Sequence, residues 1–355
     1  MKVAIIGLGA AARKIHLPAL KKTASLQIVG GYDVVNGTSN FSFPIFSSAD
    51  ELLTQSKPDL VIIATPTFTH FELTCLALSH KCHVLVEKPF MESLEQADQV
   101  IALSEKVQRW VIVNNQYRFM NIHQAAKKQI NSDNFGDLLF ICANQTFFVS
   151  NETETGWRGE DKQRTCKEFG IHVFDLCRYF FNENPIKIYA RMPKGENPDG
   201  PDFLNLIHLE FSGDRVAQIT LDRLSKGSHR YLDLRIDGSN AVIETSIGGK
   251  LELNAGIKAR NKRPFVKLDL AMGGSATLRQ GENSIKLATD PLDLFVNATH
   301  KLLSAFLSSL KNGDTPPCNA QDNRNTLALM FAAYDSNDQG SVVDMHPYYQ
   351  VNTTL

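Results

Sequence analysis

No stretch of this sequence stays apolar for anything near the ~18 residues that a membrane-spanning helix needs, and no long run of like charge interrupts it. Its 37 basic and 38 acidic residues leave a formal net charge of -1. Nothing in that balance calls for a nucleic-acid or membrane partner, and a small molecule is the expected ligand. The six cysteines (Cys75, Cys82, Cys142, Cys166, Cys177 and Cys318) are scattered without a CxxC pair. That spacing argues against a zinc knuckle and against a disulfide framework. The apolar run behind Lys2 is too short for a signal peptide and enters a glycine turn, not a cleavage site. The expectation is a soluble protein of the reducing cytoplasm with no metal centre.

What is present is a chain of 355 residues, 43% of them apolar, which is long for one core and suggests two domains. Residues Lys2–Ile6 form a β-rich apolar run followed by Gly7-Leu8-Gly9-Ala10-Ala11-Ala12, and Ala11–Ser25 can form a helix. This is G-x-G-x-x-G/A in a strand–turn–helix setting. Gly7 permits the tight turn, Gly9 lets backbone approach a pyrophosphate, and Ala12 allows close packing of helix on strand. The free N–H groups of the helix start, at Ala10 and Ala11, would face the phosphates. A second strand, Leu26–Tyr32, ends in Asp33, 24 residues beyond Gly9. An acid at that spacing binds the adenosine ribose hydroxyls. Its charge repels a 2′-phosphate and no Arg or Lys stands at Val34-Val35, so NAD is favoured over NADP.

The βαβ alternation continues through helix Ala49–Gln55, strand Asp59–Ala64, helix Phe71–Ser79, strand His83–Val86, helix Leu94–Lys106 and strand Trp110–Val113. That pattern predicts a doubly wound parallel sheet. Two strand ends carry candidate ligand-binding residues. Thr65-Pro66-Thr67, with Thr69 and His70 just beyond, suits a loop at a nicotinamide ribose, although a plain turn would read the same way. The run His83–Phe90 stops abruptly at Glu87-Lys88-Pro89 and so delivers charge to the sheet edge where open α/β sheets bind ligands.

Beyond about Ile122 strands follow strands: Leu138–Phe147, Ile186–Arg191, Leu204–Phe211, Val216–Leu221, Tyr231–Asp237, Ala241–Glu244 and Lys250–Leu253. Turns such as Ser212-Gly213-Asp214 indicate a mainly antiparallel sheet. One marked helix, Lys167–Phe181, is apolar nearly all round except for a stripe of Glu168, His172, Asp175 and Tyr179. A buried helix must turn such a stripe to a partner or a wet cavity. An internal acid–imidazole–tyrosine network would satisfy it equally well. Two helices, Pro291–Leu310 (closed by Lys311-Asn312-Gly313) and Asn319–Asp335, end the pattern.

Taken in order, Gly7-x-Gly9-x-x-Ala12, His16-Leu17-Pro18-Ala19-Leu20, Ala64-Thr65-Pro66 with Thr69-His70, Glu87-Lys88-Pro89 and Asn115-Gln116-Tyr117-Arg118-Phe119 resemble the Gfo/Idh/MocA family of NAD(P)-dependent sugar and cyclitol oxidoreductases. The resemblance runs through essentially the whole chain. It implies an NAD(P)-binding Rossmann domain at 1–121 and a substrate-binding and oligomerisation α+β domain at 122–355 with a large open antiparallel sheet. Helices at about 291–337 would pack back on the first domain. It gives Lys88 and His172 the catalytic roles and makes Gly7, Gly9, Ala10, Ala11, Ala12, Asp33, Thr65, Pro66, Thr67, His70, Glu87 and Lys88 the cofactor contacts. Glu168, Tyr117, Arg118, Trp157 and Arg158 would surround the substrate. The lysine–proline bond of Glu-Lys-Pro is often cis in that family. The chain departs from the family's D-x-G-x-H-x-x-D signature at Glu168, one methylene longer than the usual Asp, so Glu168 carries over only as a substrate-binding or His-tuning group. Arg158, Lys162, Arg164 and Lys167 read as a solvated loop, with an anionic substrate as the other possibility.

The implied reaction is alcohol–ketone interconversion on a sugar, cyclitol or nucleotide-sugar-like substrate with NAD, in a homodimer or homotetramer. His172 accepts the proton, its pKa raised by an adjacent carboxylate, and Lys88 stabilises developing negative charge. Three other readings stay open: a redox-assisted lyase or glycosidase, a biosynthetic enzyme with a repurposed pocket, and a non-catalytic NAD-binding regulator.

Overall fold

Strands with no polar face must be covered on both sides, and four of the five in the first sheet are buried along their whole length or all but one residue. In the computed structural model, which describes residues 1–35, 41–149, 161–194, 200–227, 231–257 and 264–351, these are β1 (Lys2–Ile6), β3 (Leu60–Ile63), β4 (His83–Val86) and β5 (Val111–Val113). With β2 (Gln27–Tyr32) they form an all-parallel sheet in the order β2-β1-β3-β4-β5. Helices Ala49–Ser56, His70–Ser79 and Leu94–Val107 supply the crossovers. Two of them start with side-chain caps, Ser48 accepting from the Glu51 N–H and Ser93 from the Gln96 N–H.

The first helix differs from its expected form. Residues 10–22 are helical, but Ala12–His16 is a π-turn that leads into α-helical Leu17–Lys22. Pro18 explains it: a proline cannot donate to the carbonyl four residues back, and its ring crowds that carbonyl, so the helix widens by one residue. The helix stops at Thr23, short of the expected Ser25, and the Thr23 hydroxyl donates to Ala19 O at 3.0 Å.

Among the described residues the second sheet has nine strands in the order β15-β14-β11-β10-β6-β9-β8-β7-β16. They are β6 (Leu138–Thr146), β7 (Lys187–Arg191), β8 (Leu204–Glu210), β9 (Val216–Asp222), β10 (Leu232–Gly238), β11 (Val242–Ile247), β14 (Gly274–Gln280), β15 (Asn283–Asp290) and β16 (Val343–Asp344). Every pair is antiparallel except β6 with β9. A separate hairpin pairs β12 (Lys250–Ile257) with β13 (Pro264–Ala271). The alternation of buried and exposed residues along β6 to β10 leaves one face of the sheet for helices.

That covered face carries the helix at 165–181, whose start, Cys166–Gly170, is a second π-turn before α-helical Ile171–Phe181. Buried Asp202 caps it, accepting the N–H groups of Arg164, Thr165 and Cys166. Gly170 allows the close approach, because a Cβ there would lie 2.7 Å from Leu221 on β9. The helix Leu294–Asn312 returns to the first sheet's helices, with Lys22 donating to Asp293 at 2.6 Å and Thr23 paired with His300 at 2.8 Å. The helix Ala320–Gln339 is pinned to Leu94–Val107 by the buried pair Arg324–Asp98. Among the described residues no helix is long and apolar enough to cross a membrane.

Candidate active site

Gly7 has a φ of +88°, and a Cβ there would sit 2.6 Å from the Ala64 carbonyl oxygen, so only glycine fits where the loop crosses β3. Two residues on, a Cβ at Gly9 would meet no atom within 4 Å. The backbone there is bare toward open space, which is what a pyrophosphate needs for close approach. Asp33 stands at the end of β2, its carboxylate accepting the Leu8 N–H at 2.6 Å and the Val35 N–H at 2.8 Å. The glycine loop and the acid are thus locked together. A nicotinamide dinucleotide fits these groups: bare backbone at Gly9 for phosphate, a fixed carboxylate at Asp33 for ribose, and a cavity beyond.

That cavity, of about 390 Å³, is lined by Gly9, Ala10, Ala11, Ile15, Ala64, Thr65, Pro66, Thr67, Glu87, Lys88, Pro89, Gln116, Tyr117, Glu168, His172 and Phe295. The Lys88–Pro89 bond is cis. The Lys88 ammonium donates to the main-chain carbonyl of Glu168 at 2.9 Å. One side chain from the parallel sheet is thereby tethered to the helix of the second sheet, beside His172. Next to it, Glu87 accepts from Asn114 Nδ2 and meets His16 Nε2, both at 2.7 Å. Burial pushes the Glu87 carboxyl up, but His16, Lys88 and Asn114 outweigh it and hold it at about 2. The carboxylate is therefore ionised at neutral pH, and His16 donates to it. The π-turn at Pro18 is what presents His16 at this point.

His172 is buried, and its ring lies parallel to that of Tyr117, with centroids 4.0 Å apart and 2° between planes. Burial first, and then the charge of Lys88, hold its pKa well below the ordinary histidine value, with Glu87 opposing weakly. The net shift is therefore downward, opposite to the one expected from a neighbouring carboxylate. Glu168 turns its carboxylate to Arg164 instead, so it does not tune the imidazole. Arg164 is itself buried, which corrects its reading as part of a solvated loop. Lys162 is exposed, and Lys167 bonds Glu92 and Asp161 at 3.0 and 3.1 Å.

Two further expectations change. Arg118 does not line the cavity: its guanidinium holds Asp175 through two bonds of 2.7 and 2.6 Å and reaches Asp322 at 2.7 Å. The polar stripe of the helix is therefore divided, Glu168 and His172 going to the cavity and Asp175 to this ion pair one turn on. His70 is fully buried behind the cavity, its two ring nitrogens against the carbonyls of Thr65 at 3.0 Å and Pro89 at 2.9 Å. It braces two loops of the lining and is itself absent from that lining. Gly7, Ala12 and Asp33 shape the loop from outside the cavity lining. Trp157 and Arg158 lie outside the described residues. Sequence patterns missed Phe295, Ile15 and Gln116, which line the cavity as ordinary apolar or amide residues. They also missed the His16–Glu87 pair, for which the only signal was the His16–Pro18 spacing.

The model of the oxidoreductase family with an NAD-binding Rossmann fold matches residues 1–115, and that of the GFO/IDH/MocA C-terminal domain matches residues 123–244. Glucose-6-phosphate 3-dehydrogenase of Bacillus subtilis is 28% identical over 209 residues, 55% of this chain and 58% of that enzyme, so the alignment spans little more than half of the relative. D-apiose dehydrogenase of Rhizobium rhizogenes is 22% identical over 84% of this chain and 83% of the relative. The solved structure of an oxidoreductase from Agrobacterium radiobacter in complex with NAD+, L-tartaric acid and magnesium has the same fold. Its TM-score is 0.80 at 20% identity, covering 98% of this chain and 99% of that one.

Proposed function

The chain belongs to the Gfo/Idh/MocA family of oxidoreductases, and from that premise we propose that it is a dehydrogenase that interconverts an alcohol and a ketone on a sugar, cyclitol or nucleotide-sugar-like substrate with NAD. The observation that carries this reading is the meeting of Lys88 and His172, from opposite sheets, in the cavity that opens at Gly9. The sugar dehydrogenases among its relatives support the substrate class.

When bound, NAD supplies the hydride acceptor. The protein does the rest. Neutral His172 takes the proton of the substrate hydroxyl, and the Lys88 ammonium donates to the same oxygen as negative charge develops. Ala64, Pro66 and Phe295 give the cavity apolar wall beside the polar groups. NAD is preferred to NADP because the Asp33 carboxylate stands where a 2′-phosphate would go and the next two residues are valines. We place the division between a nucleotide unit and a substrate unit near residue 121, with helices at about 291–337 seated on the first. We also infer a homo-oligomer through the open face of the nine-stranded sheet, where Leu139 and Leu206 are exposed.

The test is a screen of polyols, sugars, sugar phosphates and nucleotide sugars for NADH formation. The reading predicts oxidation of at least one, with a larger kcat/KM for NAD than for NADP. NADP preferred throughout, or product formed without net NADH, would contradict it.

A further inference from the structure

An acid–base imidazole is ordinarily fixed by a hydrogen bond to the ring nitrogen that faces away from the substrate. His172 is not held in that way. Its Nδ1 is buried and has no hydrogen-bond partner among the described residues. The carboxylates one turn before and after it are committed elsewhere, Glu168 to Arg164 and Asp175 to Arg118. What defines the ring plane is Tyr117, parallel at 4.0 Å. Tyr117 is in turn well anchored. Its hydroxyl donates to the Tyr231 hydroxyl at 3.2 Å, Phe295 packs against it at 5.7 Å, and the next residue, Arg118, is clamped to Asp175.

We propose that Tyr117 is the positioning residue for His172: its ring face, in place of a hydrogen bond to Nδ1, fixes the imidazole and favours the imidazolium that forms when the substrate proton arrives. This rests on the reading of His172 as proton acceptor, and it reassigns Tyr117 from substrate contact to support. The negative potential over an aromatic face attracts a cation, so the stack strengthens as His172 becomes charged. The titratable and charged groups around the imidazole are Lys88 and Glu87 from the loop after β4, Glu168 on its own helix, and Tyr117 with Tyr231 behind it. Asp175, a turn farther on, is paired with Arg118.

The test compares wild type, Tyr117→Phe and Tyr117→Leu by two measurements. The first is NMR of the His172 ring, assigned with His172→Asn. Wild type and Y117F should show its ring protons shifted upfield by the neighbouring aromatic current, and Y117L should lose that shift. The His172 pKa should be lower in Y117L than in the other two. The second is kinetics with NAD and whichever sugar of the panel wild type oxidises fastest. Y117L should lose about 10-fold or more in kcat with KM and NAD affinity little changed, and Y117F should recover most of that rate. An unshifted His172 ring in wild type, an unaltered kcat in Y117L, or a loss confined to KM would overturn the proposal. Should no sugar react, the dehydrogenase reading fails while the NMR arm still decides the role of Tyr117. Should Y117L not fold, the wild-type and Y117F spectra decide it.

Discussion

Gly7 and Gly9 stand two residues apart and are glycines for different reasons, which makes them separable by experiment. At Gly7 the backbone is left-handed and a side chain would strike the Ala64 carbonyl. At Gly9 a Cβ would meet no atom of the protein within 4 Å and would intrude only on the space where the proposed cofactor would lie. Gly7→Ala should therefore lower Tm by several degrees and weaken NAD with it, as strain of this kind costs about 1–3 kcal/mol. Gly9→Ala should melt like wild type yet bind NAD more weakly by isothermal titration. At the same scale, His172 remains neutral across the neutral range, so kcat should stay flat as pH falls toward the ordinary histidine value of about 6.5. Its acid limb should appear only below that, in a kcat–pH profile. Lys88 is one cause of the depression. Removing its charge in Lys88→Met should move the limb of the residual activity to higher pH.

Among the elements, the helix at 165–181 brings Glu168 and His172 to the cavity and turns Asp175 to Arg118. Its polar stripe was legible because a 3.6-residue period exposes it. The stripe's division was not, because Arg118 lies 57 residues upstream of Asp175 and nothing local announces that pairing. Both π-turns escaped for a related reason: hydrophobic period alone does not register one extra residue in a turn, although Pro18 gave a hint in the first. The division has a measurable consequence. Arg118→Ala leaves a buried carboxylate at Asp175 with its principal partner removed, which should cost about 3–5 kcal/mol. Urea unfolding should show that loss, whereas a substrate-binding arginine would change KM and leave stability alone.

Across the whole molecule, the parallel sheet and strands β6 to β11 of the second were readable from strand composition, since short runs such as Val61-Ile62-Ile63 have no polar face and the later strands alternate, whereas β14, β15 and β16 were not read as strands. The connection between the sheets was not readable either, because it joins residues distant in sequence, through contacts such as Lys88 to Glu168 and through the helix Ala320–Gln339, which packs on both Leu94–Val107 and β7. The same burial sets how the fold responds to acid. Burial lowers His70, and lowers His123 to about 4; burial and then Arg109 lower His83 to about 4. Below about pH 6.5 the unfolded chain takes up protons on these histidines that the native one does not, so stability falls as pH drops from there toward 4. Glu87, held at about 2, extends the loss below the unfolded carboxyl value toward that pH. Burial raises the Asp202 and Asp290 carboxyls, which works the other way near the carboxyl range; Tm should still be lower at pH 5 than at pH 7, and a higher Tm at pH 5 would contradict the part given to these histidines.

In the proposed reaction the Lys88 ammonium, from the loop after β4, and the His172 imidazole, from the helix on the second sheet, act on one substrate oxygen beside the cofactor. Stopped-flow measurement of NADH formation in a single turnover, with NAD affinity titrated in parallel, tests it most directly on wild type, Lys88→Ala and His172→Ala. The account predicts that each variant binds NAD nearly as wild type does while the rate of NADH formation falls by about 100-fold or more. Wild-type rates in either variant, or an equal loss of NAD binding in both, would contradict it.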